Sequence, residues 1–322
     1  MTHILVAGRI HDKGMELLEG RADATVEVLE APDQAAVLSR IAEADAVLVR
    51  SGLTAEAATA GERLRVVSVH GVGYDDVAVA DLSKCGVPVA VIGGVNATTV
   101  AEHAMFVMLA LAKQCFAHDR AVREGRWAVR SSFAARDVLQ KTLLIVGMGR
   151  IGREVAKRAA PFGMEVLAYD PYVDAPAMGA DGAAKAEDLQ AALGRADVVT
   201  LHVPSTDETE NMIGAAELAA MRPDALLINT ARGEVVDHAA LCDALKSGAI
   251  AGAGIDVFAG EPPPADDPLF GFDNVILSPH TAGLTEECGA RMGIATAENA
   301  LAGLDGRLDP DLVVNAEVLG KG

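Results

Sequence analysis

Three polar residues sit just past apolar runs, where they could do chemistry together. Arg232 follows Ile228-Asn-Thr-Ala, Glu261 lies beyond Asp256, and His280 follows Leu277-Ser-Pro. Reduction of a 2-keto acid by NADH needs a cation for the carboxylate and a proton donor for the oxygen that gains charge. It also needs a group that keeps the donor charged. The guanidinium fork of Arg232 suits the first role, at about 1.5–3 kcal/mol per charged hydrogen bond. His280 suits the second, because imidazole titrates near neutrality. Glu261 suits the third, because a neighbouring carboxylate favours a charged ring. General acid catalysis of this kind contributes on the order of 10²–10⁴ in rate. Singly, each residue has an ordinary reading: a surface ion-pair arginine, a solvated loop acid, a helix-capping histidine.

The element that must serve such a site is Lys141-Thr-Leu-Leu-Ile-Val-Gly-Met-Gly-Arg-Ile-Gly152. Residues 143–146 read as a buried strand, and Ile151, Val155 and Ala159 then recur at helical spacing. The Gly147-x-Gly149-x-x-Gly152 spacing therefore falls on a strand-to-helix turn, the setting of a dinucleotide site. Gly147 permits the turn, Gly149 lets backbone approach a pyrophosphate, and Gly152 lets the helix lie close to the sheet. The positive end of that helix favours a phosphate. Glu165-Val-Leu-Ala-Tyr169 reads as the next strand, and Asp170 ends it where an acid can accept hydrogen bonds from an adenosine ribose. The same carboxylate repels a 2′-phosphate, so the cofactor expected is NAD rather than NADP. A glycine turn in another α/β protein, with Asp170 capping a loop before Pro171, is the competing reading.

Strand-like runs at residues 4–7, 26–29, 46–49, 66–69 and 87–91 alternate with helical patterns, including one over 12–19. Such alternation predicts a parallel sheet covered by helices. The loops Arg50-Ser-Gly-Leu-Thr54 and His70-Gly-Val-Gly-Tyr-Asp75 fall at strand ends, where open α/β sheets place ligands. Gly71 and Gly73 could present N–H groups to a small anion, or form ordinary turns. Residues 96–103 open a long apolar helix reaching about Gln114, with Thr98 or Thr99 as cap and Glu102 in its first turn. Glu102 and His103 read as structural. A helix over 121–127, carrying the lone tryptophan, is expected to pack on a partner subunit. Further buried-type strands are expected over 197–202, 225–230, 252–256 and 275–278. A helix follows over 285–304, and a short apolar piece at 312–314 is expected to rejoin the first domain.

The expected architecture is therefore α/β with two parallel-sheet domains and the active site in the cleft between them. The expected boundaries are 1–97 for the first part of a substrate domain, 98–284 for a nucleotide domain, and 285–322 for a helix and return. The length, 322 residues, suits two domains. Hydrophobic content of 51% supplies large cores and argues against disorder. A net charge of −19 argues against nucleic acid and anionic membranes as partners. An anionic substrate must then be drawn in by local arginines. The four cysteines, Cys85, Cys115, Cys242 and Cys288, form no CxxC pair and no spacing with histidine that suggests a metal. Buried or semi-buried thiols in a reducing cytoplasm are expected. No signal peptide and no membrane span is read.

Several stretches carry a resemblance. Gly147–Gly152 with Asp170, Asn229-Thr-Ala-Arg-Gly-Glu-Val-Val-Asp237, Gly254-Ile-Asp-Val-Phe258, Glu261-Pro-Pro and Ser278-Pro-His-Thr-Ala-Gly283 resemble the D-2-hydroxyacid dehydrogenases. The branches most similar are phosphoglycerate dehydrogenase and hydroxypyruvate/glyoxylate reductase. The similarity spans essentially the whole chain, with motifs in the family's order. It implies a Rossmann NAD domain and a flavodoxin-like, discontinuous substrate domain, usually in a homodimer built around domain-crossing helices. It implies that Arg232, Glu261 and His280 are catalytic. The substrate carboxylate would be met by Val72, Gly73 and Arg232, with Arg50 and Ser51 nearby. Arg150 and Ile151 would meet the pyrophosphate and Asp170 the adenosine ribose. His202-Val203-Pro204 would lie along the nucleotide. Thr230, Ala231, Asp256 and the loop from His280 to Gly283 would border the nicotinamide end.

Departures from the family's pattern bear on the substrate. Val69-His70 stands where phosphoglycerate enzymes often place an arginine before the Gly-x-Gly loop, and a lysine often found near Arg50 is missing. Both weaken the case for a phosphorylated substrate, although Arg50, Arg130 or Arg136 could serve one. Glutamate rather than glutamine at position 261 argues against formate. Ending at Gly322, the chain is expected to lack control through a C-terminal regulatory domain. The expected activity is reversible hydride transfer between NAD(H) and hydroxypyruvate- or glyoxylate-type 2-keto acids or 3-phosphoglycerate. The alternative is an NAD(H)-sensing, corepressor-like protein on the same scaffold.

Overall fold

In the computed structural model, which describes residues 1–50 and 52–320, twelve strands form two wholly parallel sheets. The chain divides into two compact units, one made of Met1–Asn96 with Leu284–Gly322, the other of Ala97–Gly283. The first contains β1 (Thr2–Ala7), β2 (Ala24–Leu29), β3 (Ala46–Val49), β4 (Val66–Val69) and β5 (Val89–Ala90). Their order, β2-β1-β3-β4-β5, is the flavodoxin-like doubly wound order. The strands β3 and β4 are buried at every position, as expected where helices cover both faces. One cover is the Glu286–Leu304 helix, capped by Thr285. It comes so close to β4 that a Cβ on Gly303 would collide with Val66, and Ser68 Oγ donates to Thr296 O at 2.8 Å.

Two features of this unit differ from expectation. The last strand shrinks from 87–91 to Val89–Ala90. Residues 312–314 lie along it instead, with an antiparallel bridge from Ala90 to Val313 and a bond from Val314 N–H to Val89 O. Cys85, expected to be buried or semi-buried, caps the C-terminal end of the Val79–Lys84 helix and is exposed.

The second unit contains β6 (Thr142–Val146), β7 (Glu165–Tyr169), β8 (Ala184–Lys185), β9 (Val198–Leu201), β10 (Leu226–Asn229), β11 (Gly252–Ile255) and β12 (Val275–Leu277). Their order is β12-β11-β10-β9-β6-β7-β8, so the winding direction reverses between β6 and β9. This is the Rossmann arrangement, and the reversal opens a crevice at the C-terminal strand ends. The Ala97–Ala112 helix covers one face. A Cβ on Gly254 of β11 would collide with Val107, so the glycine lets this helix lie directly on the sheet.

That helix begins at Ala97, which puts Thr98 and Thr99 inside it rather than at its cap, and Thr99 is buried. Glu102 accordingly lies past the first turn and pairs with Arg158 at 3.3 Å, a side-chain partner rather than the helix dipole. The helix expected over 121–127 instead spans Cys115–Arg123, after a break where Gln114 adopts a left-handed φ of 51°. Gly125, with φ of 73°, ends it before the turn that carries Trp127. Cys115, at its first position, is exposed rather than buried. Among the described residues no single helix is long and apolar enough to cross a membrane.

Candidate active site

At the winding reversal, β6 runs into Gly147 and β9 into His202. His202 N–H donates to Val146 O at 2.8 Å, so the two strand ends are zipped together. Gly147 has φ of +95°, and a Cβ there would sit 2.6 Å from His202 O; both facts demand glycine. A Cβ on Gly152 would collide with Gly147 O, which lets the Arg150–Ala159 helix start directly under the turn. Gly149 is different. Its φ of −76° suits any residue and a Cβ there would meet nothing within 4 Å, so it opens onto free space at the helix N-terminus. The helix has no side-chain cap at that end, leaving the first-turn N–H groups at Arg150 and Ile151 available to an anion.

Asp170, one strand over, accepts from Met148 N–H at 2.8 Å and from Tyr172 N–H at 2.9 Å. Its carboxylate is thereby held beside the glycine turn. Three buried side-chain polar atoms among the described residues of this unit lack a hydrogen-bond partner: Nε2 of His118, on the Cys115–Arg123 helix, and Nδ1 of His202 and Oγ1 of Thr230, which follow β9 and β10. Burial pushes the His202 imidazole down to about 3, and its Nε2 shares a 2.9 Å bond with Thr200 Oγ1. Val203 and Pro204 continue from His202, and Ala231 follows Thr230 at the end of β10, buried. Unfilled space at Gly149, first-turn N–H groups at the helix N-terminus and the unpartnered polar atoms of His202 and Thr230 fit an elongated, phosphate-bearing polar ligand.

Past β10, β11 and β12 lie the three residues singled out for chemistry. Arg232 Nη1 donates to Ala231 O at 2.7 Å, and Asn229 Nδ2 donates to Arg232 O at 2.8 Å, which ties the arginine's backbone to its strand. The loop beyond Arg232 lies against the next one, since a Cβ on Gly233 would collide with Phe258 and Ala259. That neighbouring loop bears Glu261. One carboxylate oxygen of Glu261 accepts from Phe258 N–H at 3.1 Å and the other meets His280 Nδ1 at 2.8 Å. His280 sits in the left-handed region, φ 52°, an unusual conformation for a non-glycine residue. Asp256, 1% exposed, holds it there. Its carbonyl accepts from His280 N–H at 2.7 Å, and its carboxylate accepts from Thr281 and Ala282 N–H, each at 2.9 Å. Gly283 follows at the unit's last position.

Arg232, Glu261 and His280 thus stand on three loops joined by contact or hydrogen bond, and Glu261 and His280 are directly bonded. The residues proposed for a substrate carboxylate lie in the other unit. Arg50 ends β3, where Nη1 donates to Arg9 O at 2.9 Å. Val72 and Gly73 follow β4, with Ile92 N–H bonded to Gly71 O at 3.2 Å. Ser51 lies outside the described residues. Sequence reading did not single out Ser278. Its hydroxyl donates to Asp256 Oδ1 at 2.5 Å and lies 3.1 Å from His103 Nε2. His70, noted only as a departure from a family pattern, has a buried, unpartnered Nε2. Burial and the charge of Arg50 push its imidazole down to about 4.

The model of the D-isomer specific 2-hydroxyacid dehydrogenase NAD-binding domain matches residues 105–282. A glyoxylate reductase of Korarchaeum cryptofilum is 40% identical over 98% of this chain and 96% of its own length. The chain belongs to the D-isomer specific 2-hydroxyacid dehydrogenase family. A D-3-phosphoglycerate dehydrogenase of Mycobacterium bovis is 39% identical over 98% of this chain, which spans 60% of that protein. Among solved structures, D-lactate dehydrogenase of Aquifex aeolicus, complexed with NAD and lactic acid, superposes with a TM-score of 0.89. It shares 29% identity over 97% of this chain and 99% of that one. As a member of this family, the chain carries an NAD-binding domain and is an oxidoreductase acting on 2-hydroxy acids. These relatives are enzymes, which supports catalysis and gives no support to an NAD-sensing, corepressor-like protein.

Proposed function

We propose that this 2-hydroxyacid dehydrogenase interconverts a small 2-keto acid of the glyoxylate or hydroxypyruvate type, or 3-phosphoglycerate, with its partner acid or ketone. The observation that carries the assignment of roles is the 2.8 Å bond between His280 Nδ1 and Glu261. With Nδ1–H donated to the carboxylate, Nε2 is the nitrogen left to give a proton to the substrate's C2 oxygen or take it back. Arg232 binds the substrate carboxylate through its planar fork. Val72, Gly73, Arg50 and Ser51 are the further residues proposed to bind the substrate.

Bound NAD(H) supplies or accepts the hydride. Gly147, Gly149, Gly152, Arg150 and Ile151 would hold its pyrophosphate and Asp170 its adenosine ribose. His202, Val203, Pro204, Thr230, Ala231, Asp256 and Gly283 would line the rest of its length. The 1–97 and 285–322 segments would form the substrate domain and 98–284 the NAD domain. A cytoplasmic homodimer is the assembly proposed. Supporting the dimer, Phe106 and Phe116 are about half exposed, and Phe106 lines an apolar hollow of about 550 Å³ together with Met105, Leu109 and Phe162. Sedimentation at micromolar concentration tests the dimer. NADH oxidation with glyoxylate, hydroxypyruvate and 3-phosphohydroxypyruvate tests the activity and ranks the substrates; no turnover with any of them contradicts the proposal.

A further inference from the structure

His103 takes no part in the chemistry described so far, yet it is tied to it. It lies one helical turn before Val107, on the face of the Ala97–Ala112 helix that Gly254 admits onto β11. Asp256 follows Gly254 by two positions and so leaves the strand on that same side. The close approach at Gly254 therefore carries His103 toward Asp256, with Nε2 3.9 Å from Oδ1. Ser278 fills the gap between them.

The hydrogen-bond directions in this chain of groups follow from proton supply. Ser278 has one hydroxyl proton and gives it to the Asp256 carboxylate at 2.5 Å. Its oxygen can then only accept from His103, so His103 Nε2 carries a proton and donates across 3.1 Å. Asp256 Oδ1 takes the Ser278 hydroxyl and Thr281 N–H, while Oδ2 takes Ala282 N–H. Each of these bonds fixes part of the loop that presents His280 in its left-handed conformation. A buried carboxylate that loses a donor is free to turn toward another partner, and the N–H groups it held lose their alignment.

We propose that His103 is a positioning residue for the proton donor, acting through Ser278 and Asp256 on the backbone of residues 280–282. This rests on the reading of His280 as proton donor for its consequence in catalysis, but not for its consequence in structure. Two measurements separate these. The first is amide hydrogen exchange of the 278–283 segment in the enzyme without added substrate, for wild type, His103→Leu, His103→Gln and Ser278→Ala. Leucine keeps the bulk and removes the donor; glutamine restores an N–H donor at similar reach. Exchange at residues 280–282 is expected to rise about tenfold in His103→Leu and Ser278→Ala, and to return most of the way to wild type in His103→Gln. The second is steady-state kinetics with the preferred 2-keto acid. In the leucine variant kcat is expected to fall about tenfold with KM changed by less than about threefold, and glutamine to restore most of it.

Wild-type exchange in His103→Leu overturns the proposal. So does an equal loss in the leucine and glutamine variants, which assigns the effect to ring packing instead of the donor. Should wild type turn over no 2-keto acid, the functional reading falls and the exchange data still decide whether the relay orders the loop. Ser278→Ala, which leaves the helix face intact, decides the matter if the His103 variants do not fold.

Discussion

Replacing Gly147 and Gly149 by alanine, one at a time, should produce opposite patterns of damage. At Gly147 the added Cβ would lie 2.6 Å from His202 O, against an ordinary contact beginning at 3.4 Å, so strand ends bonded to each other must part by 0.8 Å (3.4 − 2.6). The φ of +95° adds backbone strain of about 1–3 kcal/mol. Overpacking adds about 1–3 kcal/mol more. Gly147→Ala should therefore unfold about 2–6 kcal/mol more easily and bind NADH poorly. At Gly149 the conformation is ordinary and a Cβ meets no atom within 4 Å, so Gly149→Ala should be as stable as wild type. Its methyl group fills the space from which N–H groups reach a phosphate. Loss of one or two charged hydrogen bonds at about 1.5–3 kcal/mol each predicts an NADH Kd raised at least about tenfold. Urea unfolding and NADH fluorescence titration read the two effects separately. Wild-type NADH affinity in Gly149→Ala would refute the placement of the cofactor, and wild-type stability in Gly147→Ala would refute the steric argument.

Glu261→Gln keeps an oxygen for Phe258 N–H but removes the charge facing His280, and should lower kcat by about ten- to a hundredfold with KM for NADH little changed. Steady-state kinetics in both substrates check this. Asp170→Ala should raise the ratio of kcat/KM for NADPH over NADH at least about tenfold, because the repelling charge and the ribose acceptor leave together. His202 is held neutral in the fold, its pKa pushed down to about 3 from the ordinary 6.5. Its contribution is therefore complete above pH 6.5 and is lost as pH falls toward 3, because the unfolded chain takes up a proton that the fold refuses. The slope approaches about 1.4 kcal/mol per pH unit. Between pH 7 and pH 5 the wild type should lose about 2 kcal/mol more stability than His202→Asn, measured by denaturant unfolding at each pH. An equal loss in both proteins would remove His202 from the account.

What could be read from sequence depended on the range of the interaction. The strand, glycine turn and helix around Gly147 lie within one short segment, where Gly147 takes a positive φ and a Cβ on Gly152 would meet Gly147 O. The parallel strands were legible as apolar runs for the same reason. Boundaries set by packing were not. The Ala97–Ala112 helix starts before its threonines because Ala97 and Thr99 are buried, which no capping rule reveals. The Cys115–Arg123 helix starts early because the chain turns at Gln114 in a conformation its residue type does not announce. The bond between Glu261 and His280 joins two separately chosen residues, whereas Ser278 and His103 have no mark of their own. Ser278 stands beside Pro279 like many loop serines, and its partner His103 lies on a helix far away in sequence. The one local clue is Gly254, whose missing side chain lets that helix down onto β11.

The central claim is that His280 is the proton donor. NADH oxidation by wild type and by His280→Ala, with the best 2-keto acid of the panel, measures its role, with NADH titration as the control for folding. The expected result is a kcat lowered on the order of 10²–10⁴ with NADH affinity unchanged. Near-wild-type kcat in His280→Ala would contradict the assignment of the proton donor, and with it the role given to Glu261.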